Sequence, residues 1–298
     1  MHNRPETVSE CAPGVIRILA PNPSPMTYWG TNSYLIGSGP RRMLIDPGPD
    51  LPDHRDAILS ALPTGAEISH ILVSHAHVDH SAGTGALARE TGAVVLAFGT
   101  ADAGRSPHMQ MLHAEGATGG GEGVDHEFQP DRCLNDGATV RLDDTAVTAL
   151  HTPGHMGNHL CFQWSDLIFC GDLIMGWSSS LISPPDGDAA AFRDSCAKLL
   201  DRRATRLLPG HGAPIDTPRV RIEELLAHRA LREDHILQAL HDGPLHLPEL
   251  TRRVYSALPD SHLPAAARNT LAHLIDLHQK HQVHAAPSLN ENALFSIL

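Results

Sequence analysis

Over the first two thirds of the chain, apolar residues fall in short runs broken by Pro, Gly and Asp. That is the pattern of strands joined by turns. Residues 14–19 (GVIRIL), 31–36 (TNSYLI) and 42–45 (RMLI) read as strands, the last running into Asp46-Pro47-Gly48. Helical character covers 54–62. The apolar run 71–73 reads as a buried strand, 82–91 as a helix closed by Gly92, and 94–98 as another strand. From 100 to 129 the periodicity dissolves around Gly119-Gly120-Gly121. So long a featureless stretch in a compact domain points to function or mobility, and a lid over a site is the expectation. Strands return at 139–142, 147–151, 159–164 and 167–170, then a helix at 188–200 and a short strand at 206–208. This order fits two sheets packed face to face with helices outside. After Pro218 the pattern becomes helical: 220–240, stopped by Asp242-Gly243-Pro244, then 247–255 and 264–280, then extended pieces at 283–285 and 293–297. Three helices and a hairpin outline a small winged-helix unit. The predicted domains are therefore 1–218 and 219–298.

Composition narrows the class. With 298 residues and 41% apolar content the chain can bury a large core, so global disorder is excluded. No run approaches the length of a membrane helix. The stretch from Met1 to Pro13 is polar and lacks a cationic start followed by an apolar run, so it does not read as a secretory signal, and a cytoplasmic protein is expected. Cys11, Cys133, Cys161, Cys170 and Cys196 have no short paired spacing, which disfavours disulfides and thiolate zinc knuckles and suggests small buried residues. A net charge of −12 disfavours nonspecific binding to nucleic acid or anionic membranes.

The histidines change the picture. Ser74-His75-Ala76-His77-Val78-Asp79-His80 follows directly on the buried strand. In extended backbone, His75 and His77 point the same way. Asp79 and His80 follow the strand's end and can reach a second centre. Three further candidates also stand at strand ends: His155 in Thr152-Pro153-Gly154-His155, Asp172 after Gly171, and His211 between Gly210 and Gly212. Glycine beside each lets the backbone bend and approach closely. Nitrogen and oxygen donors suit zinc, iron or manganese. Five histidines and two aspartates are enough for two ions. Most of the 22 histidines must serve elsewhere. His151 and Asp46 are expected to support ligands, Trp177 to line a rim, and His108, His113 and His126 match no ligand pattern.

This arrangement resembles the metallo-β-lactamase superfamily over roughly residues 15–214. Its HxHxDH signature stands here as His75, His77, Asp79 and His80. The resemblance implies a four-layer αβ/βα sandwich. It also implies one metal held by His75, His77 and His155, a second by Asp79, His80 and His211, and Asp172 as the bridge. A narrower likeness, carried by Asn22-Pro23-Ser24-Pro25-Met26, Gly30-Thr31-Asn32-Ser33-Tyr34 and the C-terminal helical unit, is to the β-lactamase-like protein 2 branch. That branch includes single-strand RNA endonucleases and polyketide-releasing thioesterases. His159 fits its HTPGHxxxH pattern. The 100–129 loop is longer than the branch's usual one.

The expected function is a hydrolase that uses a hydroxide shared by two metal ions, most simply zinc, with iron or manganese also suited. Such ions lower the pKa of bound water to about 7. Asp79 would hold the hydroxide and carry a proton, and His159 would meet a substrate oxyanion. A small ester, thioester or lactone is the first expected substrate and single-stranded RNA the second. A mononuclear iron dioxygenase and a nucleic-acid-binding regulator are further readings. Between Arg219 and Leu298 eight basic residues face nine acidic ones. A duplex-binding module carries a basic excess, so packing or dimerisation is the expected role of the C-terminal unit.

Overall fold

The computed structural model describes residues 4–298, so the first three residues of the polar N-terminal stretch lie outside it. The expected four-layer sandwich is present. One sheet of seven strands runs in chain order: β1 (Val8–Ala12), β2 (Val15–Leu19), β3 (Asn32–Ile36), β4 (Arg41–Ile45), β5 (Glu67–Leu72), β6 (Val94–Ala97) and β7 (Arg132–Cys133). β1 to β4 are antiparallel, and β4 to β7 are parallel. The second sheet has the order β12-β11-β10-β9-β8, built from β8 (Thr139–Leu142), β9 (Thr145–His151), β10 (Leu160–Trp164), β11 (Leu167–Gly171) and β12 (Arg206–Pro209). Tyr34, Ile45 and Leu72 from the first sheet meet Ala149, Phe162 and Phe169 from the second to form the central core.

Helices cover both outer faces. α1 (Pro52–Ser60) and α3 (Thr84–Thr91) send Ile58 and Leu87 onto the first sheet. A short α2 (Val78–Ser81) precedes α3. The helix predicted over 82–91 starts later because the Gly83 amide donates to the Gly48 carbonyl at 2.9 Å and not back along the helix. α5 (Ala189–Leu200) covers the second sheet with Phe192, Cys196 and Leu199. Asp188 caps it, accepting from the Ala190 and Ala191 amides.

The C-terminal unit contains α6 (Pro218–His241), α7 (Leu247–Val254) and α8 (Leu263–Gln279), with β13 (Leu245–His246), β14 (Val283–Ala286) and β15 (Leu294–Ile297) forming a three-stranded wing. It does not stand apart. Ile222 and Leu225 of α6 and Ala272 of α8 pack into the α5 side of the sandwich core. The 100–129 stretch is more than the featureless lid expected of it: Gly121 and Glu122 do line the cavity beside His77 and His155, yet the stretch also builds structure of its own. It carries a helix, α4 (Pro107–Ala114), whose Met109 and Leu112 are buried in the C-terminal core. Ser106 caps α4 and Pro107 begins it, a start the irregular periodicity hid. Of the cysteines, Cys161, Cys170 and Cys196 are buried as expected, whereas Cys11 is half-buried and Cys133 exposed. Among the described residues, no helix is long and apolar enough to cross a membrane.

Candidate metal centre

The centre sits where strand ends of both sheets meet. β5 delivers His75 three residues past Leu72. His77 is still extended (φ −94°, ψ 144°) before the chain turns into α2, which carries Asp79 and His80. His155 follows β9, Asp172 follows β11 and His211 follows β12. Two glycines are dictated by close approach. A Cβ on Gly154 (φ +147°) would lie 2.4 Å from the Phe192 Cα of α5. A Cβ on Gly210 would lie 2.5 Å from Asp172 Oδ1 and 2.6 Å from His80 Cε1.

All seven predicted residues converge. His77 Nδ1 is 3.0 Å from the Nε2 atoms of both His75 and His155. On the other side, His211 Nε2 is 3.3 Å from His80 Nε2 and 3.2 Å from Asp79 Oδ2. Asp172 lies between: Oδ1 is 3.4 Å from His80 Nε2, and Oδ2 is 3.3 Å from His211 Nε2 and 3.7 Å from His155 Nε2. Three overlapping groups could hold an ion: His75-His77-His155, His75-His80-Asp172 and Asp79-His80-His211. A tetrahedral ion with bonds of about 2.0–2.1 Å spaces its ligand atoms about 3.3 Å apart, near the separations seen here. Asp172 Oδ1 is buried without a hydrogen-bond partner. Such an oxygen costs free energy unless a cation takes it. The donor set therefore fits two divalent ions.

The outer nitrogens are fixed. Nδ1–H of His80 donates to Asp46 Oδ2 at 2.9 Å, that of His155 to the Leu181 carbonyl at 2.7 Å, and that of His211 to the Gly30 carbonyl at 3.1 Å. His75 Nδ1 meets Ser74 Oγ at 2.9 Å, and that hydroxyl donates on to Asp46 at 2.8 Å. These bonds aim Nε2 of all four rings at the centre, where each can serve as a ligand atom once it carries no proton. Asp46 thus supports both metal groups. It does so from a left-handed backbone conformation, φ 52°.

Electrostatics divides the histidines. Burial, reinforced by neighbouring imidazoles, pushes His75 well below its usual range, pushes His77 down to about 3 and lowers His155. These three are neutral and ready to ligate. Burial also opposes charge on His80 and His211, but the Asp172 and Asp79 carboxylates outweigh it, raising His80 and lifting His211 to about 9. Burial would raise Asp79 and Asp172, yet these same imidazoles hold both carboxyls below their ordinary range. A cation entering the second group displaces protons.

His159, expected at the substrate, sits elsewhere. It is fully buried, with Nδ1 3.0 Å from Thr152 Oγ1 and Nε2 accepting from the Asp172 amide at 3.3 Å. It braces the backbone of a ligand and does not meet the cavity. His151 bonds the Gly157 carbonyl at 2.9 Å and stacks on Phe98. Trp177 stacks on Tyr28. His108, His113 and His126 join no metal-capable group among the described residues. Supports that sequence reasoning missed are the Leu181 and Gly30 carbonyls and Ser74. The serine's place beside His75 was a readable signal; the carbonyls carry none.

A cavity of about 280 Å³ opens on His77 and His155. Met26, Leu181, Pro264 and Ala265 line it, with Glu122, Asp186 and Arg268.

Comparison with known proteins agrees with this geometry. Residues 26–211 match the model of the metallo-beta-lactamase superfamily, and residues 247–288 match the beta-lactamase associated winged helix domain. A beta-lactamase-like protein 2 homolog of Drosophila melanogaster is 34% identical, aligned over 95% of this chain and 94% of its own length. An atrochrysone carboxyl ACP thioesterase of Cryptosporiopsis is 29% identical over 79% of this chain and 65% of its own. In three dimensions, a metallo-beta-lactamase family protein from Thermus thermophilus superposes with a TM-score of 0.77 at 24% identity, covering 97% of this chain and 100% of that one. Sequence match, donor set and layer order agree: this chain belongs to the metallo-β-lactamase superfamily and carries the winged-helix domain associated with it.

Proposed function

We propose that the chain is a binuclear metallohydrolase acting on a small ester, thioester or lactone. One observation carries this reading. Asp172 lies within 3.7 Å of His155 on one side and 3.3 Å of His211 on the other, beside a small cavity whose exposed surface is mostly apolar. His75, His77 and His155 would hold one ion, Asp79, His80 and His211 the other, and Asp172 both. When bound, such a pair ionises water at neutral pH and polarises an acyl oxygen; zinc is the simplest occupant and iron or manganese suits the same donors.

The protein's own groups do the rest. Asp79 is the most open carboxylate of the cluster, at 24% side-chain exposure, so it can take a proton from water and deliver it to the departing alcohol or thiol. Thr31 Oγ1 donates to its Oδ2 at 3.3 Å and steadies it. No serine or cysteine nucleophile is needed. The thioesterase named among the relatives supports acyl chemistry, as does a net charge of −12, which repels polyanions.

The test is metal quantification followed by turnover of p-nitrophenyl acetate, an acyl-coenzyme A thioester, a lactone, bis-p-nitrophenyl phosphate and single-stranded RNA, with His75→Ala as control. Two ions per chain with acyl turnover are expected. A single ion, or cleavage of phosphodiesters alone, overturns the reading.

A further inference from the structure

The cavity beside the metal centre is closed on one side by the C-terminal domain. Pro264, Ala265 and Arg268, from the first turns of α8, share its lining with Met26 and Leu181 and with the ligands His77 and His155. Arg268 holds this wall together. Its guanidinium donates to the Thr118 carbonyl at 2.5 Å, to Ser183 Oγ at 2.8 Å and to the Pro184 carbonyl. It thereby ties the segment after α4 to the loop before α5. The Glu291 amide donates to the Ala117 carbonyl at 3.0 Å and adds a second tie from the wing side. Gly120, the middle of the glycine triplet, makes room for the arrangement: with φ +100°, a Cβ there would stand 2.7 Å from the Pro184 oxygen and 3.0 Å from Arg268 Nη2. Each of the arginine's three nitrogens already donates to a protein oxygen, and the Glu291 carboxylate 3.6 Å from Nη1 offsets its charge, so it is a weak anion receptor.

Charge and size describe what the cavity takes. At about 280 Å³ it falls at the small end of ligand pockets. The carboxylate of Asp186 is neutralised by Arg105 at 2.6 Å, both being buried. Glu122 is exposed at the rim and forms no ion pair among the described residues, so it repels a negatively charged substituent. Ser183 and the two imidazoles add polar edges, but most of the surface the cavity exposes is apolar, supplied by Met26, Leu181, Pro264 and Ala265.

We infer that this cavity is an acyl-chain subsite for an uncharged aliphatic chain, and that Arg268 of the C-terminal domain is the positioning residue that sets its depth. The inference rests on the acyl-hydrolase reading above. It gives the winged helix a role in substrate selection without nucleic acid.

The test uses the full-length, metal-loaded chain with p-nitrophenyl acetate and p-nitrophenyl octanoate, and calorimetric binding of octanoate. Arg268→Met is expected to raise the octanoyl KM about tenfold relative to the acetyl KM with kcat changed less than about twofold, and Arg268→Lys to recover part of the difference. Ala265→Trp, which fills the cavity, is expected to shift the same ratio by at least as much and serves if Arg268→Met does not fold. An unchanged octanoyl-to-acetyl ratio in the folded variants overturns the subsite while acyl hydrolysis stands. Should wild type hydrolyse neither ester, octanoate binding decides. Binding that Ala265→Trp weakens about tenfold upholds the subsite and sinks only the acyl-hydrolase reading. No octanoate binding by wild type overturns both.

Discussion

Asp172 and Asp46 show how single carboxylates govern the whole centre. Asp172 reaches His80, His155 and His211 through its two oxygens. Asp172→Asn should therefore drop bound metal below two ions per chain and slow turnover about a hundredfold or more, read by metal analysis and steady-state rates. Asp46 belongs to none of the metal-capable groups but accepts from the Ser74 amide, the Ser74 hydroxyl and His80. Outer partners of this kind are worth about 10–100-fold in metal affinity, so Asp46→Asn should weaken binding by that factor in a chelator competition. His54 provides a separate test of acid stability. Its ring is buried beside Ser33 Oγ at 2.8 Å, and burial lowers its pKa to about 4. A histidine held neutral in the fold contributes stability that is present above its unfolded pKa of about 6.5 and is lost as pH falls towards 4. Urea titrations near pH 7 and pH 4 should show His54→Gln losing on the order of 2–3 kcal/mol less than wild type over that interval. Parallel losses in the two proteins would refute the assignment.

At the scale of elements, strand ends and loops decide whether the ligands meet. The loop before α5 holds His155 through the Leu181 carbonyl, and the C-terminal helices hold that loop. Asn269 Oδ1 of α8 accepts from the Ile182 amide at 3.0 Å and from Arg229 of α6 at 3.2 Å; Arg229 also donates to the Ser180 carbonyl and lies over the Phe192 ring. Burial lowers the Arg229 pKa to about 10, which still leaves it charged at neutral pH. Arg229→Met should loosen the loop and release metal more readily from the His155 side, seen as faster loss to a chelator with a smaller change in the fold by circular dichroism. The histidine motif was legible because four donors lie within six residues at the end of an apolar run. This loop was not, because its partners lie far along the chain and all but one of its bonds to α6 and α8 use its backbone atoms, the exception being Ser183 Oγ. The helix α4 was missed for a related reason: its apolar face answers to the C-terminal core, not to the sheet beside it in sequence.

For the whole molecule, the two matched domains share their interior. α6 places Ile222 and Leu225 in the sandwich core and Ile236 and Leu240 in the C-terminal core, while α4 crosses the other way. Residues 1–217 expressed alone should expose the apolar surface of α5 and of α4. Loss of a cooperative unfolding transition, with recovery mainly in the insoluble fraction, is expected; a soluble fragment with a sharp thermal transition would show that the cores are separable.

The sequence by itself determined the layer order, the winged-helix outline and the seven candidate ligands, because strand alternation, apolar runs and short motifs are local signals. The structure alone decided that His159 is a buried brace, that Asp46 serves both groups of ligands, and that the C-terminal helices wall the cavity. Those facts depend on atoms brought together across the fold by burial and by backbone carbonyls, which have no residue-type signature for a linear reading to find.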